Sequence, residues 1–320
     1  MSIPVLAMHG GAGTLSRSLI TPEAAHKYTE SLHSILTSGH EALLAGASAL
    51  DAVSLVVCLL EDSPLFNAGR GAVYTSKGGH ELDAAIMDGS TLEAGAVACV
   101  HGVKNPIRAA RAVMEQSRHV FMVGEGAMDF LRSKGLAFEP EEYFHTDFRL
   151  AQLREAQKTD AFGMVLDHDG AAPMPAPALP LDGRGTMGTV GAVALDSCRR
   201  LAAATSTGGM TNKLPGRVGD TPLIGAGCYA DETVAVSCTG TGEYFIRLVA
   251  GADLSARMRY RGQALAEAGA DVLTGLGRLG ALGGFIAVDK SGAAILPFNS
   301  EGMYRAWADR DGIRHVAIYR

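Results

Sequence analysis

One threonine in this sequence could become a nucleophile through a single backbone scission. It is Thr189, in the junction Gly188-Thr189-Val190-Gly191-Ala192-Val193-Ala194-Leu195-Asp196. Cutting before it would free an α-amino group beside its own hydroxyl. Such an amine has an unperturbed pKa of about 7.7–8.0, so a modest shift makes it an adequate general base at neutral pH. An N-terminal threonine therefore needs no histidine or aspartate partner for activation. Without its surroundings, Thr189 is an ordinary β-branched residue opening a strand. Its surroundings change that reading. Four prolines fall within residues 171–180, so residues 171–188 form an extended, exposed segment that enters an apolar strand at Thr189. The chain can be cut there without dismantling a core.

Other chemistries find less support. The ten histidines show no HExxH-like spacing, and there is no CxxC pair to hold zinc. No GxSxG elbow is present. Gly225-Ala226-Gly227 and Gly124-Glu125-Gly126 are incomplete dinucleotide fingerprints, each lacking the third glycine and a suitably placed acid. His9, beside Gly10-Gly11, reads better as a loop histidine bonded to backbone than as a catalytic one.

Composition narrows the partners. The chain has 320 residues, 47% of them hydrophobic and 19% charged, enough to bury a sizeable core and too apolar for wholesale disorder. Its formal net charge of −6, with no run of four basic residues, argues against nucleic acid. Arg199-Arg200 reads as a polar turn between strands. The longest apolar run, residues 52–60, is too short to span a bilayer. No basic region precedes an apolar stretch at the N-terminus, so no signal peptide is expected. Five cysteines, an odd and unclustered set, fit buried thiols in a reducing cytoplasm better than a disulfide framework. The 40 glycines, without a period, mean tight turns and close backbone approach.

The elements that must position Thr189 follow from pattern. A strand over 3–8 should end in a glycine turn, His9–Gly13. Thr21-Pro22-Glu23 opens a helix running to about Ala45, with Thr as cap and Pro at the first helical position. A second helix, from about Ser48 to Glu61, is too apolar for an exposed surface and belongs against a sheet. Strands are predicted over 72–75, 82–87, 94–100, 189–196, 201–206, 223–228, 233–238, 284–289 and 293–297, with a polar tail beyond. Helices are predicted over 106–117, 124–134, 139–156, 242–250 and 253–276. Strands joined by tight turns, with helices in groups, favour a layered α+β sandwich of antiparallel sheets.

Ordered motifs then resemble one family. The junction at 188–196, Ser206-Thr207-Gly208-Gly209, Asn212-Lys213-Leu214-Pro215-Gly216-Arg217-Val218-Gly219-Asp220 and Ser237-Cys238-Thr239-Gly240-Thr241-Gly242 are similar to the plant-type asparaginase/isoaspartyl peptidase family of N-terminal nucleophile hydrolases. So are His9–Gly13, Phe66–Gly71, Glu81-Leu82-Asp83-Ala84, Pro297-Phe298-Asn299 and Glu301–Arg305. The resemblance covers nearly the whole chain outside 130–187.

That resemblance implies a four-layer αββα sandwich. It implies self-cleavage between Gly188 and Thr189 into an α subunit, 1–188, and a β subunit, 189–320, that together form one domain. It gives Thr189 the role of nucleophile, with Thr207 beside it, Thr239 and Gly240 at the oxyanion, and Asn67 near the reacting group. Arg217 and Asp220 would bind the substrate's α-carboxylate and α-ammonium, a pairing their chemistry suits; the rival reading is a surface salt bridge. Main-chain carbonyls of Leu60, Glu61, Ser63, Phe66, Ala68 and Arg70 would hold a structural sodium ion, with no cofactor needed for the chemistry. Arg70, where an aliphatic residue is expected, and Ala281, where the family more often has glycine, depart from the pattern.

The implied activity is hydrolysis of L-asparagine and of β-aspartyl dipeptides by a cytoplasmic homodimer of αβ units, with no nucleic-acid or membrane partner. A glycosylasparaginase, with the same nucleophile, and an unprocessed metabolite-binding protein are the alternatives.

Overall fold

The helix-opening signals fold as their chemistry requires. In the structure, a computed structural model describing residues 3–13, 21–159 and 188–320, Thr21 caps α1 (Pro22–Leu44) by accepting the Ala24 N–H at 3.2 Å. Ser48 caps α2 (Ala49–Asp62) by accepting from the Asp51 amide at 3.1 Å. The remaining helices are α3 (Pro106–Gln116), α4 (Gly124–Ser133), α5 (Asp147–Thr159), α6 (Gly242–Leu248), α7 (Ala250–Arg261) and α8 (Leu265–Arg278). None of the described helices is long and apolar enough to cross a membrane.

The described strands are β1 (Val5–Gly13), β2 (Leu82–Asp88), β3 (Ala94–Val100), β4 (Phe121–Val123), β5 (Val190–Leu195), β6 (Leu201–Thr207), β7 (Cys228–Ala230), β8 (Val234–Gly240), β9 (Gly283–Asp289), β10 (Ala294–Ile295), β11 (Gly302–Ala308) and β12 (Arg314–Tyr319). They form two sheets. One has eight strands in the order β12-β11-β1-β5-β6-β2-β3-β4, and the other four, β10-β9-β8-β7. All pairings are antiparallel except β3 with β4.

Alternation along β1 shows how the layers are filled. Leu6 and Met8 join a cluster with Leu36, Val56 and Val57 of the covering helices. Val5 and Ala7 instead join Val193, Ala203, Ala235 and Ile286, from both sheets. Successive side chains point to opposite faces, so a strand buried on both sides is apolar at every position. A third cluster joins Val236 and Phe285 to Phe245, Leu254, Val272 and Leu276 of α6–α8.

Several expectations are corrected. β1 does not stop before the glycines; it continues to Gly13 through a bulge between His9 and Gly11. The glycines serve close approach: a Cβ on Gly10 would meet the Phe66 ring at 2.5 Å, and one on Gly11 the Gly188 nitrogen at 2.5 Å. Residues 72–75 form no strand, only an isolated bridge from Thr75 to Lys213. Residues 223–227 are a turn rather than a strand, because the Asp220 carbonyl accepts the amides of Leu223 and Gly227, and only Cys228 of the expected strand belongs to one, opening β7. The helix expected over 139–156 begins only at Asp147; Glu141–Tyr143 is a 3-10 turn after Pro140. The helix expected over 253–276 breaks at Gly262, whose φ is +67°. The polar tail is in fact β11 and β12, and β11 pairs along β1. The proline-rich segment before Gly188 lies outside the described residues.

Candidate active site

Strand pairing brings the two threonines together. β5 and β6 run antiparallel with Val190 opposite Ser206, so Thr189 and Thr207 are the next residues along the two strands. Both are buried. They line one cleft with Gly188, Arg217, Asp220 and Gly240.

The second sheet supplies the opposite wall. Thr239 and Gly240 end β8, and the Ala12 amide of β1 donates to Thr239 Oγ1 at 3.2 Å, tying the sheets at the site. A hydroxyl that accepts one bond still has its own proton to donate. Gly240, with φ +149°, crosses Gly283 of β9 so closely that a Cβ on Gly240 would lie 2.8 Å from the Gly283 Cα. Only glycine fits that crossing.

The third contribution is the loop between β6 and β7. Its anchor is Lys213, fully buried, whose Nζ donates to the Glu81 carbonyl at 3.0 Å and lies 4.0 Å from the Glu81 carboxylate. Glu81 in turn accepts the Gly216 amide at 2.9 and 3.0 Å. The loop then presents Arg217 and Asp220. Asp220 is buried and its Oδ2 has no hydrogen-bond partner among the described residues. Burial pushes its carboxyl up to about 6, against the opposing pull of Arg217. An acid so placed is suited to receiving a cationic group from a ligand.

Asn67 stands behind the cleft. Its Nδ2 donates to the Gly209 carbonyl at 2.7 Å and its Oδ1 accepts the Val73 amide at 3.0 Å. Both ends of the side chain are spent on backbone, so it fixes the loop after Thr207. His9 is fully buried and held far below the usual histidine range, at about 3, by loss of solvent, although a backbone contact with Thr189 opposes this. It is therefore a neutral ring. Its Nε2 lies 2.9 Å from Ser237 Oγ, which lies 2.7 Å from Thr205 Oγ1.

Leu60, Glu61, Ser63, Phe66, Ala68 and Arg70 lie outside the cleft, at the end of α2 and in the loop after it. That loop winds tightly. A Cβ on Gly69 would stand 2.6 Å from the Glu61 carbonyl oxygen, and one on Gly71 2.1 Å from that of Phe66. Three of these residues' carbonyls each accept one local amide, Leu60 from Ser63, Phe66 from Ala68 and Ala68 from Gly71, and each keeps a second lone pair.

Two residues at the cleft escaped sequence reasoning. Thr221, fully buried, sets its Oγ1 3.4 Å from Thr189 Oγ1. Glu243 takes the Arg217 guanidinium in a bidentate pair, with both bonds at 2.8 Å. Each immediately follows a motif recognised in the sequence, at Asp220 and Gly242, and that adjacency was the available signal.

Comparison with known proteins gives the family. The family model described as "Asparaginase" matches residues 2–318. An isoaspartyl peptidase of Escherichia coli is 54% identical over all of this chain and 97% of its own. The isoaspartyl peptidase of Salmonella typhimurium is 55% identical, with both chains covered completely. A plant-type L-asparaginase of Pyrococcus horikoshii is 46% identical over 76% of this chain and 75% of its own.

Proposed function

We propose, from the premise that this chain belongs to the asparaginase family, that it is a self-processing threonine hydrolase of β-aspartyl dipeptides and L-asparagine. The observation that carries this reading is the position of Thr189. It stands just before β5 in a cleft whose wall holds a guanidinium and a buried carboxylate with one oxygen, Asp220 Oδ2, unpartnered among the described residues.

Processing begins with Thr189 Oγ attacking the Gly188 carbonyl carbon. The Gly188–Thr189 C–N bond breaks, and the acyl group passes to oxygen as an ester. Water then hydrolyses the ester, leaving a Gly188 carboxylate and a free Thr189 amine. The two subunits stay associated as an αββα sandwich of the N-terminal nucleophile type, in keeping with the stacking of helices and sheets described above.

In the mature enzyme Arg217 binds the substrate's α-carboxylate and Asp220 its α-ammonium. Thr189 Oγ attacks the β-carbonyl while its own amine takes the proton and passes it to the leaving ammonia or amino acid. The Thr239 hydroxyl and the Gly240 backbone face the developing oxyanion. Water releases aspartate from the ester. Thr207, whose Oγ1 accepts the Gly209 amide at 2.9 Å, keeps its proton for the reacting group. Carbonyls of Leu60, Glu61, Ser63, Phe66, Ala68 and Arg70 would hold sodium, which supplies no chemistry and stiffens the loop carrying Asn67. A cytoplasmic homodimer of αβ units completes the reading, and sedimentation of the mature protein checks its size.

Denaturing mass spectrometry tests the processing. Two fragments of 188 and 132 residues are expected, with an allowance for a trimmed α-chain end. Thr189→Ala should stay one inactive chain, and substantial turnover by that variant contradicts the assignment. Parallel assays on isoaspartyl-leucine, asparagine and N-acetylglucosaminyl-asparagine separate this activity from that of a glycosylasparaginase.

A further inference from the structure

We propose that Glu243 is an internal competitor for the substrate's α-carboxylate and so sets the enzyme's affinity for it. The inference rests on the reading above, in which Arg217 receives that carboxylate. In the structure the place is already filled. Nε and Nη2 of Arg217 each donate at 2.8 Å to the two oxygens of Glu243. This fork-to-fork geometry is the one a free carboxylate would adopt on the same guanidinium.

The ammonium half of the cleft is in the opposite state. Asp220 Oδ2 is buried without a partner among the described residues, and Gly242, next to Glu243, packs so close that a Cβ there would stand 2.8 Å from Asp220 Oδ1. One cation therefore faces two acids. Arg217 spends its hydrogen bonds on Glu243 and reaches Asp220 only through its charge, leaving Asp220 Oδ2 without a donor among the described residues. A zwitterionic substrate resolves the imbalance: its ammonium pairs with Asp220, and its carboxylate takes the place of Glu243.

Exposure says which partner moves. The Arg217 side chain is 13% exposed, whereas that of Glu243 is 46% exposed. Glu243 can swing into water at little cost, while Arg217 stays where the substrate needs it. A partly exposed ion pair is weak, so displacing it should cost roughly a two- to fivefold loss in apparent affinity. A ligand lacking the α-carboxylate has no reason to displace Glu243 and escapes that cost.

The test is calorimetric titration of the mature two-chain protein, wild type, Glu243→Gln and Glu243→Ala, with L-aspartate and with β-alanine, which is aspartate without its α-carboxylate. Aspartate should bind both variants about two- to fivefold more tightly, Ala at least as tightly as Gln, with no matching gain for β-alanine. The KM for asparagine should fall by the same factor, with kcat within about twofold. Weaker or unchanged aspartate binding overturns the proposal and makes Glu243 a residue that merely orients Arg217. So does an equal gain for both ligands, or no aspartate binding in any of the three proteins. The titration is independent of turnover. Failure to hydrolyse either substrate class would sink the assigned reaction alone.

Discussion

The hydroxyl oxygens of Thr189 and Thr221 stand 3.4 Å apart, one just before β5 and the other on the loop after β6. Thr221 has no exposed surface, so its hydroxyl faces the nucleophile instead of water. It is placed to fix the Thr189 rotamer, which decides whether Oγ points at a carbonyl carbon. Thr221→Val keeps the shape and removes that one polar group. A net hydrogen bond is worth about 0.5–1.5 kcal/mol, up to roughly tenfold in rate. Thr221→Val should slow both self-cleavage, followed on a timed denaturing gel, and steady-state kcat by about that factor. Thr221→Ser should recover most of the loss. Normal rates in the valine variant would remove Thr221 from the site.

Asp220 gives the activity a pH dependence whose sign can be worked out. Its carboxyl sits at about 6 in the folded protein because it is buried, above the ordinary value of 3.8. Only the ionised form pairs with a substrate ammonium. The kcat/KM for asparagine should therefore rise with pH through about 6, and Asp220→Asn should flatten that limb and lower the whole profile. Stability runs the other way. Between the two values the native state holds a proton that the unfolded chain releases, so this group favours folding at low pH and loses that contribution as pH rises through 6. Urea denaturation should show Asp220→Asn gaining on the wild type between pH 4 and pH 7. A wild-type profile flat across that range would put the carboxyl elsewhere.

Gly191 marks a point where the packing has no slack. A Cβ there would stand 1.9 Å from Ser237 Oγ, 2.7 Å from His9 Nε2 and 2.9 Å from the Ala204 carbonyl oxygen. All belong to the buried seam between the two sheets, and the His9–Ser237–Thr205 chain cannot retreat without losing its bonds. Overpacking of this kind costs about 1–3 kcal/mol. Gly191→Ala should lower the urea midpoint accordingly and delay the appearance of the two subunits. A variant of unchanged stability would show that the seam can open.

Much of this was legible in the sequence, for local reasons. The caps Thr21 and Ser48 act on amides three residues away, and the strands around Thr189 are apolar because both faces are covered. What was not legible depends on contacts between distant segments. The glycines after His9 read as a turn, but they are strand residues pressed against Phe66 and Gly188. The segment holding Tyr304 and Trp307 reads as a polar tail because Arg305 and Asp309 interrupt it, yet it pairs with β1. Glu243 meets Arg217 across 26 positions, and no spacing rule announces that pair.

Lys213 offers the sharpest check on how the recognition loop is held. It is a cation with no exposed surface, and the acids near it are Glu81 and Asp83. Asp83 Oδ2 has no hydrogen-bond partner among the described residues, and burial raises its carboxyl while Lys213 pulls it down. Lys213→Met preserves the length of the stem and deletes the charge, stranding buried carboxylates. Removing one partner of a buried pair costs about 3–5 kcal/mol. The penalty should shrink as pH falls, because burial raises the Asp83 carboxyl and its protonation removes charge left uncompensated. The loop from Gly208 to Arg217 also loses its tether to the Glu81 carbonyl, so Arg217 should wander and the KM for asparagine rise more than kcat falls. Urea midpoints at pH 5 and pH 8, set beside KM and kcat, test both halves. A loss of stability equal at the two pH values would mean that packing of the lysine stem, not its charge, holds the loop in place.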